Sequence, residues 1–319
     1  MKTRVAVLRG GLSGEYDVSL RTGREVLKNL PEIYQPQDVL ISRDGEWYLQ
    51  GVHRSPADIL SHTDVVFNAL HGTYGEDGKV QRLLDVFNVP YTGSGSVPSA
   101  IAMNKVLTKQ SIASNRVKMP IHDVISGGGE VRQKVFEIFH RLPLPAIVKP
   151  VDSGSSLGVT LVNSFDELMR GVYRALSVSS GAIVEEFISG REATCGVIDD
   201  FRGKSVYSLL PVEIRPHGSG IFDYNAKYGG ASKEICPGSF SREESQAIQE
   251  AAATVHSALG LRHYSRSDFI VNPKRGVYFL EVNTLPGLTE QSLFPKSLSA
   301  VGSNLREFLD HVLNLAVQR

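Results

Sequence analysis

Short apolar runs alternate along the chain with segments whose apolar positions recur every three or four residues. Val5-Ala6-Val7-Leu8 leads into Gly10-Gly11-Leu12-Ser13-Gly14 and then into an amphipathic stretch over residues 18–30 closed by Pro31, the pattern of a strand, a glycine turn and a helix. The apolar run 65–70 repeats it, ending in His71-Gly72-Thr73-Tyr74-Gly75-Glu76-Asp77-Gly78 before a helix to Asn88. Loops at the carboxyl ends of strands bind ligands in open α/β sheets, so both loops are expected to face one crevice. The first hundred residues therefore read as a small α/β substrate domain. From about Pro98 the pattern changes to helix and then to strand-rich α+β, with strands at 146–150, 159–162 and 182–188 and a helix over 165–178. Ser164 with Glu167, and Ser241 with Glu244, have capping-box spacing, and Gly260 ends the second of these helices. Gly127-Gly128-Gly129 reads as a surface loop.

Two β-rich segments, 265–271 and 277–283, are joined by Asn272-Pro273-Lys274-Arg275-Gly276 and predict a hairpin. With 273–276 as the loop, Asn272 pairs with Val277. Counting back sets Asp268 opposite Glu281 and Arg266 opposite Asn283, and period-2 alternation puts all four on one face. Opposed Cβ atoms lie about 5 Å apart, where two carboxylates repel unless one protonates. A divalent cation removes that penalty. Two carboxylates, an amide oxygen and a guanidinium suit Mg2+ carrying phosphates, with the arginine left to hold developing negative charge. The same residues also suit an exposed polar sheet face with a cross-strand salt bridge, and a one-residue slip would dismantle the constellation.

Composition narrows the field. The 319 residues exceed one average core, so two or three domains are expected. Thirty-four basic and 34 acidic residues cancel, which gives no general attraction to nucleic acid or an anionic membrane. There is no 18-residue apolar run, and Met1-Lys2-Thr3-Arg4 leads into a strand rather than a signal peptide; a cytoplasmic protein is expected. Cys195 and Cys236 lack metal-ligand or disulfide spacing and read as buried thiols.

Nucleotide chemistry has scattered signals. No G-x-x-x-x-G-K-[ST] motif occurs, and Gly10 to Gly14 lacks the full dinucleotide fingerprint. Gly154-Ser155-Ser156-Leu157-Gly158 follows Lys149 between two strands. Such a loop can expose N–H groups to phosphate while the lysine neutralises charge, although taken alone it is also an ordinary turn. Glu185 and Glu192 flank a strand end that can offer hinge backbone groups to adenine and a carboxylate to ribose; they read equally well as solvated acids. Residues 218–230 are irregular yet contain Phe222, Tyr224 and Tyr228, which predicts a lid closing over ligand. Asn283-Thr284-Leu285-Pro286-Gly287 leaves the metal strand through a turn able to aim an N–H at an oxyanion.

Assembled, these residues resemble the ATP-grasp superfamily, and within it the D-alanine:D-alanine ligases. The likeness runs nearly end to end, through the 10–19 and 71–78 segments, Tyr91-Thr92-Gly93-Ser94-Gly95, Met103-Asn104-Lys105, Val148-Lys149-Pro150, Phe222-Asp223-Tyr224, Arg266-Ser267-Asp268-Phe269 and residues 281–287. Arg9 stands where the family often has an aromatic, and Tyr16 where histidine is common. The resemblance implies an ATP-grasp fold, α/β and α+β, with a Rossmann-like N-terminal substrate domain over 1–95, a central subdomain over 96–184, and a C-terminal subdomain over 185–319 carrying the metal site and the lid. It implies that Lys105, Lys149, Ser155, Ser156, Glu185, Glu186, Phe187, Ile188, Glu192 and Lys227 bind ATP, and that Asp268, Glu281 and Asn283 bind two Mg2+ or Mn2+. Glu15 would anchor the first substrate's ammonium, with His71 near its carboxylate. Arg266 and the Gly287 N–H would stabilise the oxyanion, Ser292 would hold the second substrate's carboxylate, and Tyr228 would join Ser155 and Glu15 in a hydrogen-bonded chain. The partners implied are D-alanine and ATP, in a homodimer with no nucleic acid or membrane. The product would be D-alanyl-D-alanine, made through an acylphosphate for peptidoglycan precursors. The same architecture also serves D-alanine:D-lactate or D-alanine:D-serine ligation, or a non-catalytic nucleotide-binding module, although an intact Asp268, Glu281 and Asn283 argues against the last.

Tyr228 generates a test of substrate choice. A D-alanine zwitterion must lose a proton before its amine attacks, whereas D-lactate is already anionic and gains from a nearby cation. Tyr228 supplies none. Given D-alanine and D-lactate at equal concentration near neutral pH, the protein is expected to make mostly dipeptide, and Tyr228→Lys or Tyr228→His to shift the mixture toward ester. Chromatography of the products decides it; mostly ester from the unaltered protein would overturn the assignment.

Overall fold

The computed structural model describes residues 2–154, 158–216 and 232–318. The first sheet holds β1 (Thr3–Gly10), β2 (Tyr34–Ile41), β3 (Trp47–Leu49), β4 (Val52–His53) and β5 (Val65–Asn68) in the order β4-β3-β2-β1-β5. β1 is parallel to both β2 and β5. Val5 to Leu8 and Val65 to Phe67 are wholly buried, as expected of strands covered on both faces. Helices α1 (Tyr16–Asn29) and α2 (Pro56–Leu60) connect these strands, and α3 (Lys79–Val86) follows β5. The turn from β1 toward α1 needs glycine at Gly10: its φ is 92°, and a Cβ there would stand 2.3 Å from the Ile41 carbonyl oxygen.

Helices α4 (Ser96–Met103) and α5 (Lys105–Ile112) lead to an antiparallel sheet of β6 (His122–Ser126), β7 (Ala146–Pro150), β8 (Thr160–Val162) and β9 (Gly181–Glu186), in the order β6-β9-β7-β8. Val148, Val162, Ala182 and Val184 pack against Val135 and Ile138 of α6 (Val131–Arg141) and Leu168 and Val172 of α7 (Phe165–Leu176). Alternation sends Ile147, Lys149, Ile183 and Glu185 to the opposite face. The expected boundary between 184 and 185 falls inside β9, whose ladder with β7 runs to Glu186. Glu185 and Glu186 thus belong to the central sheet, and Phe187 and Ile188 lie just past its end.

The third sheet contains β10 (Arg191–Phe201), β11 (Lys204–Ser208), β12 (Val212–Pro216), β13 (Ser232–Ile235), β14 (Tyr264–Asn272) and β15 (Gly276–Asn283). Helix α8 (Arg242–Ala258) covers it through Ile248, Ala252 and Val255, and begins with the reciprocal capping box of Ser241 and Glu244. Helix α9 (Leu293–Ala300) packs on β10, and α10 (Leu305–Val317) then returns to β5 and α1 of the first domain. One core joins Val5, Val7, Val26 and Phe67 to Tyr264, Phe294, Phe308 and Val312, and the Tyr34 hydroxyl donates to Asp310 at 2.8 Å.

The β14–β15 hairpin departs from simple counting. Asn272 pairs with Gly276 rather than Val277, so the loop is one residue shorter than expected; the register then shifts between Asp268 and Phe269, restoring Asp268 opposite Glu281 and Arg266 opposite Asn283. Leu280 is the extra residue of this bulge. Phe269, Val271, Val277, Phe279 and Val282 face the core under α8, while Ile270, Tyr278 and Leu280 join Ile188 on the other face. Without the bulge, Glu281 would point into the core.

Phe308 is wholly buried where the C-terminal helix meets the first sheet, edge-on to Tyr264 and Phe294 at 5.1 and 5.2 Å. Phe308→Ala is expected to destabilise the protein by about 3–5 kcal/mol, read as a lower urea midpoint at unchanged slope. A loss under about 1 kcal/mol would show that the helix does not unite the two cores.

Candidate active site

A cavity of about 560 Å³ opens between the three sheets. Its wall includes Glu15 and His71 from the first domain, Lys149, Glu185 and Glu186 from the central sheet, Phe187 and Ile188 just beyond, and Glu192 on β10. The hairpin contributes Arg266, Asp268, Glu281 and Asn283, and the chain beyond it Gly287 and Ser292. Lys105 joins from behind, its Nζ donating to the Ser153 carbonyl at 2.8 Å and lying 3.6 Å from Glu281 Oε2. Ser155, Ser156, Lys227, Tyr228 and the expected lid at 218–230 lie outside the described residues, except that Gly154 brings the glycine loop to Glu15, where a Cβ would stand 3.5 Å from Oε2.

At the first-domain end, Ser13 Oγ donates to the His71 carbonyl at 2.6 Å and accepts the Glu15 N–H at 3.1 Å, tying the two loops together. The His71 ring is buried, with Nε2 2.8 Å from Thr22 Oγ1 and Nδ1 3.8 Å from Glu76 Oε1. Gly72, at φ 67°, could carry no Cβ without coming within 2.6 Å of Glu15 Oε2. Arg9 and Tyr16 stay off the cavity wall. Arg9 makes a two-pronged pair with Asp38 at 2.6 and 2.7 Å, and Tyr16 is covered by Arg43 at 4.2 Å.

The acids of the central sheet correct one expectation. Glu185 is the next-to-last residue of β9, as expected, but it is not solvated: it is 1% exposed and sits between Lys149, 2.6 Å away, and Lys109, 2.9 Å away. Burial, the largest single influence, raises its pKa, but the two lysines together outweigh it and hold the carboxyl near 2. Burial likewise pulls Lys149 down, and Glu185, Glu281 and Glu192 together lift it above a free lysine. For Lys109 burial prevails and its pKa falls. The Glu186 carboxylate is bound by Arg275 at 2.9 and 2.9 Å and by the Ile121 N–H at 3.1 Å, so its side chain is committed to the hairpin tip.

On the hairpin face, Arg266 donates to both oxygens of Asp268 at 3.1 Å, and the Thr194 hydroxyl donates to Oδ1 at 2.6 Å. Among the described residues no three His, Cys, Asp or Glu side chains converge as a metal site; here the third oxygen donor is the Asn283 amide. Two directly paired carboxylates and an amide on one sheet face fit a hard divalent cation that also takes phosphate oxygens. Past the strand, a Cβ on Gly287 would lie 3.0 Å from Ser292 Oγ, so a side chain here would press on that hydroxyl. Ser292 is the N-cap of α9 but does not cap it; its hydroxyl accepts the Thr289 N–H at 3.2 Å. The helix N-terminus therefore faces the cavity with a hydroxyl and a favourable dipole for an anion.

Sequence reasoning missed Lys109, Thr194, Thr22 and Glu76. Lys109 was accessible, being one helical turn after Lys105 on α5. Thr194 was not, because its place beside Asp268 comes from the β10–β14 register.

The chain matches the D-ala D-ala ligase C-terminus family over residues 120–314 and the D-ala D-ala ligase N-terminus family over 4–60 and 52–94. It is 38% identical to a D-alanine--D-alanine ligase of Desulfotalea psychrophila, covering 100% of this chain and 96% of that one. A D-alanine--D-alanine ligase of Syntrophotalea carbinolica is 37% identical, at 97% and 95% coverage. Among solved structures it is similar to the D-alanine-D-alanine ligase from Coxiella burnetii, with a TM-score of 0.86, 27% identity and coverage of 100% and 94%. It is also similar to the VanG D-Ala:D-Ser ligase from Enterococcus faecalis, with a TM-score of 0.86, 29% identity and coverage of 99% and 100%.

Glu185 predicts an acid limb of stability. Its folded pKa lies below the ordinary 4.5, near 2, so its stabilisation is full above the unfolded value and is lost as pH falls toward 2. Urea unfolding of the wild type and Glu185→Gln between pH 7 and pH 2.5 is expected to show a stability gap that narrows below about pH 4.5. A gap independent of pH would contradict the buried pair.

Proposed function

The chain belongs to the D-alanine–D-alanine ligase family, and from that premise we propose that it is an ATP-dependent ligase joining two D-alanines for peptidoglycan precursor synthesis. The observation that carries the reading is a shared cavity lined by the first-domain residues Glu15 and His71, the Lys149–Glu185 pair, the Asp268–Glu281 face and the Gly287–Ser292 turn. The 37% and 38% identity to D-alanine--D-alanine ligases favours D-alanine over D-serine as second substrate.

In this reading Glu15 binds the first D-alanine's ammonium and His71 lies near its carboxylate. A carboxylate oxygen attacks the γ-phosphorus of ATP, and the bond to ADP breaks to leave an acylphosphate. The second D-alanine, its carboxylate held at Ser292 and the α9 N-terminus, attacks the acyl carbon through its deprotonated amine. Arg266 and the Gly287 N–H hold the oxyanion until the phosphate leaves with its bonding electrons. Lys105 and Lys149 neutralise the phosphates, while Ile188, Ile270, Tyr278 and Leu280 offer an apolar seat for adenine. Glu186 and Phe187 contribute backbone, since the Glu186 carboxylate is engaged elsewhere, and Glu192 meets the ribose. Ser155, Ser156, Lys227 and Tyr228 keep the roles their motifs imply. Asp268, Glu281 and Asn283 would hold two Mg2+, or Mn2+, which neutralise the transferring phosphoryl group. Positioning and charge neutralisation suffice; no covalent enzyme intermediate is required.

The reading includes domains divided near 95 and past β9, a homodimer, and a cytoplasmic setting where ATP is available. No helix among the described residues is long and apolar enough to cross a membrane.

Glu281→Gln removes one anionic oxygen donor while preserving shape. D-alanine-dependent phosphate release at saturating ATP and Mg2+ is expected to fall at least about a hundredfold, with the melting temperature little changed. Unchanged release would reduce the hairpin face to a structural role.

A further inference from the structure

Glu185 meets two ammonium groups, and they are not equivalent. Lys149, on Oε2 at 2.6 Å, belongs to the cavity wall. Lys109, on Oε1 at 2.9 Å, lies behind it with a side chain only 1% exposed. One lysine would balance the carboxylate, and burying a second cation beside the first is unfavourable in itself. Its position therefore calls for a gain elsewhere.

We propose that Lys109 is the standing counter-ion of Glu185, a positioning residue that frees Lys149 to move from that carboxylate to the phosphates of a bound nucleotide. The proposal rests on the ATP-dependent reading and adds to it the means by which a paired lysine becomes available. When Lys149 turns toward phosphate, Glu185 stays in a site that water does not reach. An uncompensated carboxylate there is strongly unfavourable, so without Lys109 the pair would resist opening and nucleotide binding would bear the difference. Lys109 cannot take over the phosphate role, since it does not line the cavity and its side chain is buried against Glu185. Lys105, one turn earlier on α5, already reaches toward the cavity at Ser153 and Glu281. Burial favours loss of the Lys109 proton and Glu185 is the main influence opposing it, so the charge on Lys109 is tied to this carboxylate.

The test is a double-mutant cycle on ADP affinity, measured by calorimetry with Mg2+ in the full-length wild type, Lys109→Met, Glu185→Gln and the double variant. Lys109→Met is expected to weaken ADP binding about tenfold or more in the wild-type background. In the Glu185→Gln background the same change is expected to weaken it less than about twofold, because no buried charge remains to hold Lys149. Wild-type ADP affinity in Lys109→Met, or an equal loss in both backgrounds, overturns the proposal even if the melting temperature falls. Should Lys109→Met not fold, Lys109→Gln makes the same comparison with the same two outcomes. Failure of the ligase reading is distinguishable, since it would appear as wild-type protein that binds ADP but releases no phosphate with D-alanine.

Discussion

In a β-ladder successive side chains leave on opposite faces, so a strand that presents apolar side chains and then two polar ones to the same side must change parity once. β15 does so at Leu280. Up to that residue Tyr278 and Leu280 face the cavity side while Val277 and Phe279 face the core; beyond it Glu281 and Asn283 face the cavity and Val282 the core. The apolar end and the acidic end are thereby set side by side on one rigid hairpin. A straight ladder would bury Glu281 under α8, where a lone carboxylate is untenable.

The charges around this hairpin occur as opposites already in contact: Arg266 with Asp268, Lys105 with Glu281, and Lys149 and Lys109 with Glu185. Such pairs are a poor source of stability, because desolvation offsets most of the Coulomb gain. They are a good way to keep charge oriented in a dry site. A polyphosphate entering with its cations can exchange partners with them, anion for anion and cation for cation, without any group passing through an isolated buried charge. That exchange requires each partner left behind to keep a neighbour of opposite sign.

Much of this was legible in the sequence, and the limits have physical causes. The α/β and α+β layers followed from periodicity, and the Ser241–Glu244 box formed as its spacing implied. At Ser164 the serine caps its helix, but Glu167 reaches the Asn163 N–H instead. The register of the hairpin's polar face came out right through two compensating departures, a loop shorter by one residue and a strand longer by one. The clue to the second lay in the chain, where the core-facing residues run Val277, Phe279 and then Val282, a switch from odd to even positions. Of the two readings open for Glu185, the solvated acid fails because two lysines from separate elements converge on it and permit its burial. Cys195 is buried as expected, whereas Cys236 is only partly covered.

Alignment of the two ends of the cavity depends on contacts made close to the reacting groups. The Gly93 N–H donates to His263 Nδ1 at 3.0 Å, and the Arg262 N–H to Ser94 Oγ at 3.2 Å. These bonds fasten the end of the first domain to the residues just before Arg266. Asp199 holds the same stretch from the other side, accepting the His263 N–H at 2.6 Å and meeting His256 at 3.0 Å. With α10 packed across the first sheet, Glu15 and Arg266 are linked by short hydrogen bonds and a common core rather than by a hinge. Rate enhancement that comes from positioning is sensitive to shifts of about 1 Å, and a frame that fixes the Glu15 and Arg266 ends of the cavity together protects that alignment.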